Sequence, residues 1–161
     1  MALFDAFLKI DGIEGESADD KHKNEIDIHS FSWGESNGGT FASGGGGGAG
    51  KVSMQDFHFT MNCNKSSVKL FLACAGGDHI KSAVLTCRKA GKNQQEFYKV
   101  TFSDILVSSY QSGGGGGDTL PIDSISLNFA KVEKEYKEQK SDGTLGGAIK
   151  AGWNLKTNVK V

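Results

Sequence analysis

Two unbroken runs of five glycines, Gly44–Gly48 and Gly113–Gly117, interrupt this chain of 161 residues, which carries 23 glycines and a single proline, Pro121. A regular element gains little from such a segment, because glycine brings no side chain to pack and loses the most backbone freedom on ordering. The runs therefore read as loops. Segments with strand character continue on both sides of each run without a shift in composition. That places the loops inside one domain spanning residues 1–161, not between domains.

Outside the loops, period-two alternation dominates. In Leu3–Asp11, Phe4, Ala6, Leu8 and Ile10 share one face. In Asn24–Trp33, Ile26, Ile28, Ser30 and Ser32 oppose Asp27, His29, Phe31 and Trp33. In Val52–Met61, Phe57, Phe59 and Met61 fall together. Ile80–Arg88, Glu96–Phe102, Ile105–Gln111 and Ile122–Ala130 are further β-rich runs, and Gly152–Val159 closes the set. Lys131–Lys140 has charge spacing that suits a helix face, but with only Val132 and Tyr136 apolar it reads as a continuation of the preceding strand. One segment has helical spacing: Val68, Phe71, Leu72 and Ala75 form an apolar stripe on Ser66–Ala75. Ser66 or Ser67 can cap its start and Gly76-Gly77 can end it. The fold class is mainly β, a β-barrel or sandwich with one flanking short α-helix.

Charge and hydropathy remove several function classes. Eighteen basic residues against nineteen acidic ones give a net charge of −1. The electrostatic part of nucleic-acid binding has no source here. No run of about 18 apolar residues exists to span a membrane. The N-terminal MALFDAFLKID lacks the basic region and long apolar core of a secretory signal. Cys63, Cys74 and Cys87 are odd in number and contain no CxxC, so they read as small, reduced, half-buried residues and not as a zinc site.

The segment SGGGGGAGKVS, residues 43–53, matches the phosphate-loop spacing at Gly45, Gly50 and Lys51. Val52 stands where a Mg²⁺-binding hydroxyl belongs, and the following KVSMQDFHFTM alternates as a strand where a phosphate site needs a helix N-terminus. Other catalytic patterns are no stronger. His22, His29, His58 and His79 are scattered, and neither GxSxG nor HExxH occurs. Asp19, Asp20 and His22 form a polar cluster that reads either as a divalent-cation site or as a solvated loop. Asp27 and His29 can pair without a third member for a proton relay. Cys74 reads as a buried helix residue ahead of a nucleophile. Trp33 and Trp153 are core plugs or ligand platforms.

Nothing so far demands an enzyme, a cofactor or a metal. Bare backbone lets another backbone approach closely and can order on meeting a neighbour. Two glycine loops in one small domain therefore favour a self-associating protein.

The order of motifs along the chain resembles the Hcp family, the haemolysin-coregulated proteins of bacterial type VI secretion systems. The resemblance rests on Phe7-Leu8-Lys9-Ile10, Gly15-Glu16-Ser17 with His22, Ser30-Phe31-Ser32-Trp33-Gly34, and Gly44–Gly50 followed by Lys51. It continues through Arg88-Lys89-Ala90-Gly91, Val107-Ser108-Ser109 leading into Gly113–Gly117, Ser126-Leu127-Asn128-Phe129-Ala130, Tyr136, Gln139, Asp142-Gly143, Gly152-Trp153-Asn154 and Asn158. At Asn64-Lys65-Ser66-Ser67 the chain departs from relatives that begin the helix with proline.

The resemblance implies an antiparallel β-barrel with one flanking helix, assembled as a homohexameric ring. Rings stack into a hollow tube that is capped by a spike protein, driven by a contractile sheath, and able to carry small effector proteins in its lumen. It implies no catalysis, cofactor, nucleic-acid partner or membrane insertion, and no toxic extension beyond Val161. Assembly in the cytoplasm is followed by export through the machine itself. By the same resemblance Glu35–Lys51 is a projecting loop, with Gly44, Gly45, Gly46, Gly47, Gly48, Gly50 and Lys51 at the ring-stacking contact. Ser30 and Ser32, small and polar, are the candidate lumen and effector contacts. The rival readings are a monomeric β-barrel binding module and a nucleotide-binding protein that uses the glycine-rich loop.

Overall fold

A computed structural model describes residues 4–39, 49–90 and 94–161. Its elements are β1 (Phe4–Ile10), β2 (Ile26–Asp27), β3 (Ser30–Ser32), β4 (Glu35–Gly39), β5 (Ala49–Met54), β6 (Phe57–Asn62), α1 (Lys65–Gly76), β7 (His79–Lys89), β8 (Glu96–Gly113), β9 (Ile122–Gln139), β10 (Leu145–Asn154) and β11 (Val159–Lys160). All pairings are antiparallel, in the order β2-β1-β7-β8-β9-β10-β11. Strand β9 is long enough to serve two neighbours on one edge: Ile122–Leu127 pairs with β6, itself paired to β3, and Lys131–Gln139 pairs with β10. Strands β4 and β5 form a separate hairpin. The mainly β class with one short helix is the architecture expected, and Lys131–Gln139 does continue the preceding strand.

The expected barrel is not closed. The ladder curls, but β2 ends at Asp27 and β3 begins at Ser30. Two backbone bonds link its ends: Ile28 N–H donates to the Ala6 carbonyl at 3.2 Å, and His29 N–H donates to the Thr60 carbonyl at 2.8 Å. Asn24–Trp33 is therefore two short strands bonded to opposite walls. The switch between residues 28 and 29 resets the alternation. Ile26 and Ile28 are buried and Phe31 packs on the core, whereas Ser30 and Ser32 face outward, opposite the side that unbroken alternation assigns them.

The core lies between the walls. Phe57, Phe59 and Met61 of β6 and Ile125, Leu127 and Phe129 of β9 meet Leu8 and Ile10 of β1, Leu85 of β7 and Val100 and Phe102 of β8. The runs Glu96–Phe102 and Ile105–Gln111 form one strand, β8. Asp104 sits at φ 54 and shifts the inward parity from Val100 and Phe102 to Ile105 and Val107. The ladder holds across this point, with Ser103 opposite Lys131 and Ile105 opposite Phe129. Gly152–Val159 is not one strand: β10 ends at Asn154, whose Oδ1 accepts from the N–H groups of Lys156 and Thr157, and the chain turns before β11.

Helix α1 is capped by Asn64, not by Ser66 or Ser67. Asn64 Oδ1 accepts from Ser66 N–H, while Ser67 Oγ accepts from Asn64 N–H. Gly77, at φ 67, ends the helix in the left-handed conformation that favours glycine. The face buried against the sheet is Ser66, Ser67, Leu70 and Ala73. The expected stripe points the other way: Val68, Phe71 and Leu72 are 71%, 56% and 62% exposed. The inward serines are explained by Asp123 beneath them, a buried carboxylate that accepts from Ser67 Oγ at 2.5 Å.

Candidate assembly surfaces

Behind the aromatic core, the outward side of β3, β6, β9 and β8 carries two cross-strand rows. One runs Ser30, Thr60, Ser124, Gln111; the other runs Ser32, His58, Ser126, Ser109. Ser30 Oγ and Thr60 Oγ1 are 2.6 Å apart, and His58 Nδ1 lies 3.1 Å from Ser126 Oγ. No lysine, arginine or carboxylate stands in either row. The two serines singled out from the sequence are therefore together, exposed, and part of a wider hydroxyl-rich face. Period-two placement of Thr60, Ser124 and Ser126 opposite Phe59, Ile125 and Leu127 was the available signal for the rest of it.

The β4–β5 hairpin carries Gly50 and Lys51; Gly44, Gly45, Gly46, Gly47 and Gly48 lie outside the described residues. Lys51 is an exposed strand residue at the irregularity between the Asn37–Val52 and Gly39–Ala49 pairs of the hairpin. No helix begins there, so the nucleotide-binding alternative lacks the N-terminal amides that would hold phosphates. Gly50 has a reason internal to the protomer: a Cβ there would stand 2.9 Å from the Gly38 carbonyl oxygen. The second run differs. Gly115 N–H donates to Asp118 Oδ2 at 3.0 Å and closes a turn, but Cβ atoms at Gly113, Gly116 and Gly117 would meet open space.

In the Asp19, Asp20 and His22 cluster, Asp20 is exposed, whereas Asp19 is half-buried and His22 buried. Segment 12–25 lies over the outer face of β1 and β7, where Phe7 is buried on the side of β1 opposite the main core. The His22 ring stacks on Phe7 at 4.4 Å, and the Arg88 guanidinium lies 4.8 Å from the Phe7 centroid. Asp19 chelates Arg88, and His22 sits between Glu25 (2.9 Å) and Glu96 (2.7 Å). The Arg88 hydrogen bond holds the Asp19 carboxyl down at about 2. Burial, with the charges of Asp19 and Asp5, pushes Asp27 up. No hydrogen bond among the described residues joins Asp27 to His29, and no three His, Cys, Asp or Glu side chains there converge on a metal position. Cys87 is buried, which pushes its thiol up to about 11 and away from the reactive thiolate; Cys63 and Cys74 are half-buried free thiols.

A cleft of about 840 Å³ separates the β4–β5 hairpin from the far half of β9 and β10. Both tryptophans line it. Trp33 also packs edge-on against Phe102 and donates from Nε1 to Tyr98 OH at 3.2 Å. Trp153 Nε1 is buried with no hydrogen-bond partner among the described residues.

Comparison with known proteins places these surfaces in context. Residues 7–136 match the family model described as "Type VI secretion system effector, Hcp". The sequence is 47% identical to Protein hcp1 of Pseudomonas aeruginosa over 158 residues, covering 97% of this chain and 98% of that protein. The fold is similar to the crystal structure of Hcp1 from Salmonella typhimurium, with a TM-score of 0.82, 36% identity and coverage of 99% and 100% of the two chains. It is also similar to a solved "type six secretion system protein", with a TM-score of 0.93, 36% identity and coverage of 98% and 99%.

Proposed function

The chain belongs to the Hcp family of type VI secretion proteins, and from that premise we propose that it is a one-domain tube subunit that closes into six-membered rings stacked around a hollow channel. The observation that carries this reading is the hydroxyl-rich face. Ser30, Ser32, Thr60, Ser124 and Ser126 present a wetted surface free of formal charge directly behind a dry aromatic core. A channel that passes folded cargo needs such a wall: apolar patches would adhere and a single-sign field would trap. Small effectors then travel against Ser30 and Ser32, with a spike at the tube tip and a contractile sheath around it.

Ring formation also answers the free strand edges at β2, β3 and β11, since each copy can offer one edge and receive another. Gly44–Gly48, with Gly50 and Lys51, form the contact to the next ring. The open space around Gly113, Gly116 and Gly117 supports a second place where a neighbour's backbone comes close. The subunit catalyses nothing and needs no cofactor. It assembles in the cytoplasm and leaves through the machine it builds.

Native mass spectrometry with negative-stain imaging tests this reading. A sixfold multiple of the 17.1 kDa chain, with annular particles, is expected at micromolar concentration. Solitary protomers alone would overturn it.

A further inference from the structure

Segment 15–25 lies over β1 and β7 without joining their ladder. Its backbone bonds close on itself: Gly15 N–H donates to the Asn24 carbonyl at 2.8 Å, Ser17 N–H to the Glu25 carbonyl at 3.0 Å, and Asn24 N–H to the Ser17 carbonyl at 2.9 Å. Among the described residues no backbone–backbone bond ties it to a strand of the sheet. Side chains hold it down instead. Asp19 chelates Arg88 of β7, His22 meets Glu96 of β8, and Glu16 Oε2 accepts the Lys65 N–H at 2.9 Å. A segment attached in this way is a strap, and its attachment depends on charge.

His22 is the most constrained of these attachments. It is 6% exposed and stacks on Phe7, with Nδ1 2.9 Å from Glu25 Oε2 and Nε2 2.7 Å from Glu96 Oε1. An ionised carboxylate only accepts hydrogen bonds, and a neutral imidazole carries a single N–H. A neutral His22 would therefore turn a bare nitrogen toward one of its two carboxylates. A ring with a proton on each nitrogen satisfies both. The charged groups around it have the same bias: Asp19 and Glu25 on the strap, Asp5 of β1, Asp27 of β2 and Glu96 of β8, against the Arg88 guanidinium of β7. Lys9 of β1 and Lys99 of β8 are exposed and form no ion pair with these carboxylates among the described residues.

We propose that His22 is an imidazolium clamp that donates from both ring nitrogens, to Glu25 and to Glu96, and that loss of its second proton as pH rises unfastens the strap from β8. The clamp is closed while the ring is charged and opens toward alkali. The Asp19 carboxyl, held at about 2 by its Arg88 hydrogen bond, keeps its own grip over the same range, so the strap loosens at one end and is not shed. The device belongs to the single protomer and does not depend on the ring.

The test pairs nitrogen-15 histidine NMR of the full chain with limited trypsin digestion. The His22 ring signals are assigned by their loss in His22→Gln. Cleavage after Lys21 and Lys23, both exposed on the strap, is divided by cleavage after exposed Lys140, which cancels the pH dependence of the protease. In the wild type both ring nitrogens should carry protons at pH 7.5. The cleavage ratio should rise about tenfold between pH 7 and 9.5, the loss of one charge-assisted hydrogen bond. Glu96→Gln places an amide that can accept from an N–H or donate to a bare nitrogen. In that variant the second proton should leave at a lower pH, and the cleavage ratio should change less than about twofold over the same range. A singly protonated ring in the wild type at pH 7.5, or a wild-type ratio that ignores pH, would overturn the clamp. Both wild-type readings decide the matter even where a variant misfolds.

Discussion

Arg88 and Asp19, 69 residues apart in sequence, are locked by two hydrogen bonds: Nη1 donates to Oδ1 at 3.0 Å and Nη2 donates to Oδ2 at 2.6 Å. Arg88 is only 2% exposed, its Nη2 also lies 3.4 Å from Asp5 Oδ2, and its Nε has no partner among the described residues. A buried guanidinium that loses its chelating carboxylate is left with an uncompensated charge. Asp19→Asn should therefore cost about 3 kcal/mol. That corresponds to a fall in Tm of roughly 6–12 °C for a domain of this size. Asp20→Asn, one residue on and exposed, should stay within about 0.5 kcal/mol of wild type. Paired thermal melts at pH 7 decide between them.

The same pair has a pH signature. The Asp19 carboxyl sits at about 2 in the fold against 3.8 for an unperturbed group. A depressed carboxylate contributes stability above its unfolded pKa and loses it as pH falls through the folded one. The Tm gap between wild type and Asp19→Asn should therefore hold steady from pH 7 to 5. It should shrink below about 4 and vanish near 2. A gap that grew on acidification would contradict the pairing.

Period-two alternation made much of the fold legible, because Phe57, Phe59 and Met61, and likewise Ile125, Leu127 and Phe129, take their burial from local pleat geometry. Three features escaped it for identifiable reasons. Apolar periodicity says that a helix face is buried, not by what; on α1 the Ser66 and Ser67 side is held inward by Asp123, and the apolar side faces out. The single left-handed residue Asp104 shifts the pattern inside β8 without breaking the ladder, so one strand reads as two. The outer layer depends on Arg88 meeting Asp19 and His22 meeting Glu96, contacts between residues distant in sequence. Its local traces were the polar cluster of Asp19, Asp20 and His22 and the buried Arg88 near the end of β7, and neither names its partner.

Asp123 should be the most sensitive polar position under α1. Ser67 Oγ donates to its Oδ2 at 2.5 Å, and Tyr110 OH donates to the same oxygen at 3.1 Å, while Oδ1 has no partner among the described residues. Ser67 also accepts the Asn64 N–H that completes the helix cap. Ser67→Ala removes both bonds and should lower stability by about 2–3 kcal/mol, read as a lower urea midpoint at unchanged slope. Tyr110→Phe removes the longer bond alone and should cost about half as much. The reverse order would show that Tyr110, not the helix, supports the carboxylate.

Glycines in the two loops should answer substitution differently. A Cβ at Gly50 would stand 2.9 Å from the Gly38 carbonyl oxygen, so Gly50→Ala should loosen the β4–β5 hairpin and raise amide exchange there. At Gly116 a Cβ meets open space, so Gly116→Ala should leave protomer stability within about 0.5 kcal/mol of wild type. If that run meets a neighbour, the same substitution should shorten tubes seen by electron microscopy. Unchanged tube lengths would leave Gly116 with no part in stacking.

Ser32 offers the most direct check on the channel wall. It is exposed, opposite His58 across the β3–β6 pairing, and its neighbour Phe31 supplies the packing at that point of β3. Ser32→Gln adds bulk and two donors without touching the core, so the protomer Tm and the ring mass should not move. If the row Ser32–His58–Ser126 faces cargo, the longer side chain must change what a passing protein meets. Effector recovered with purified rings should fall about tenfold, the equivalent of about 1.4 kcal/mol of lost contact. A matched substitution at Lys9, exposed on the outer side of β1, should leave recovery unchanged. Equal losses from both variants would point to a general weakening of the ring, and no loss from Ser32→Gln would take these serines off the channel wall.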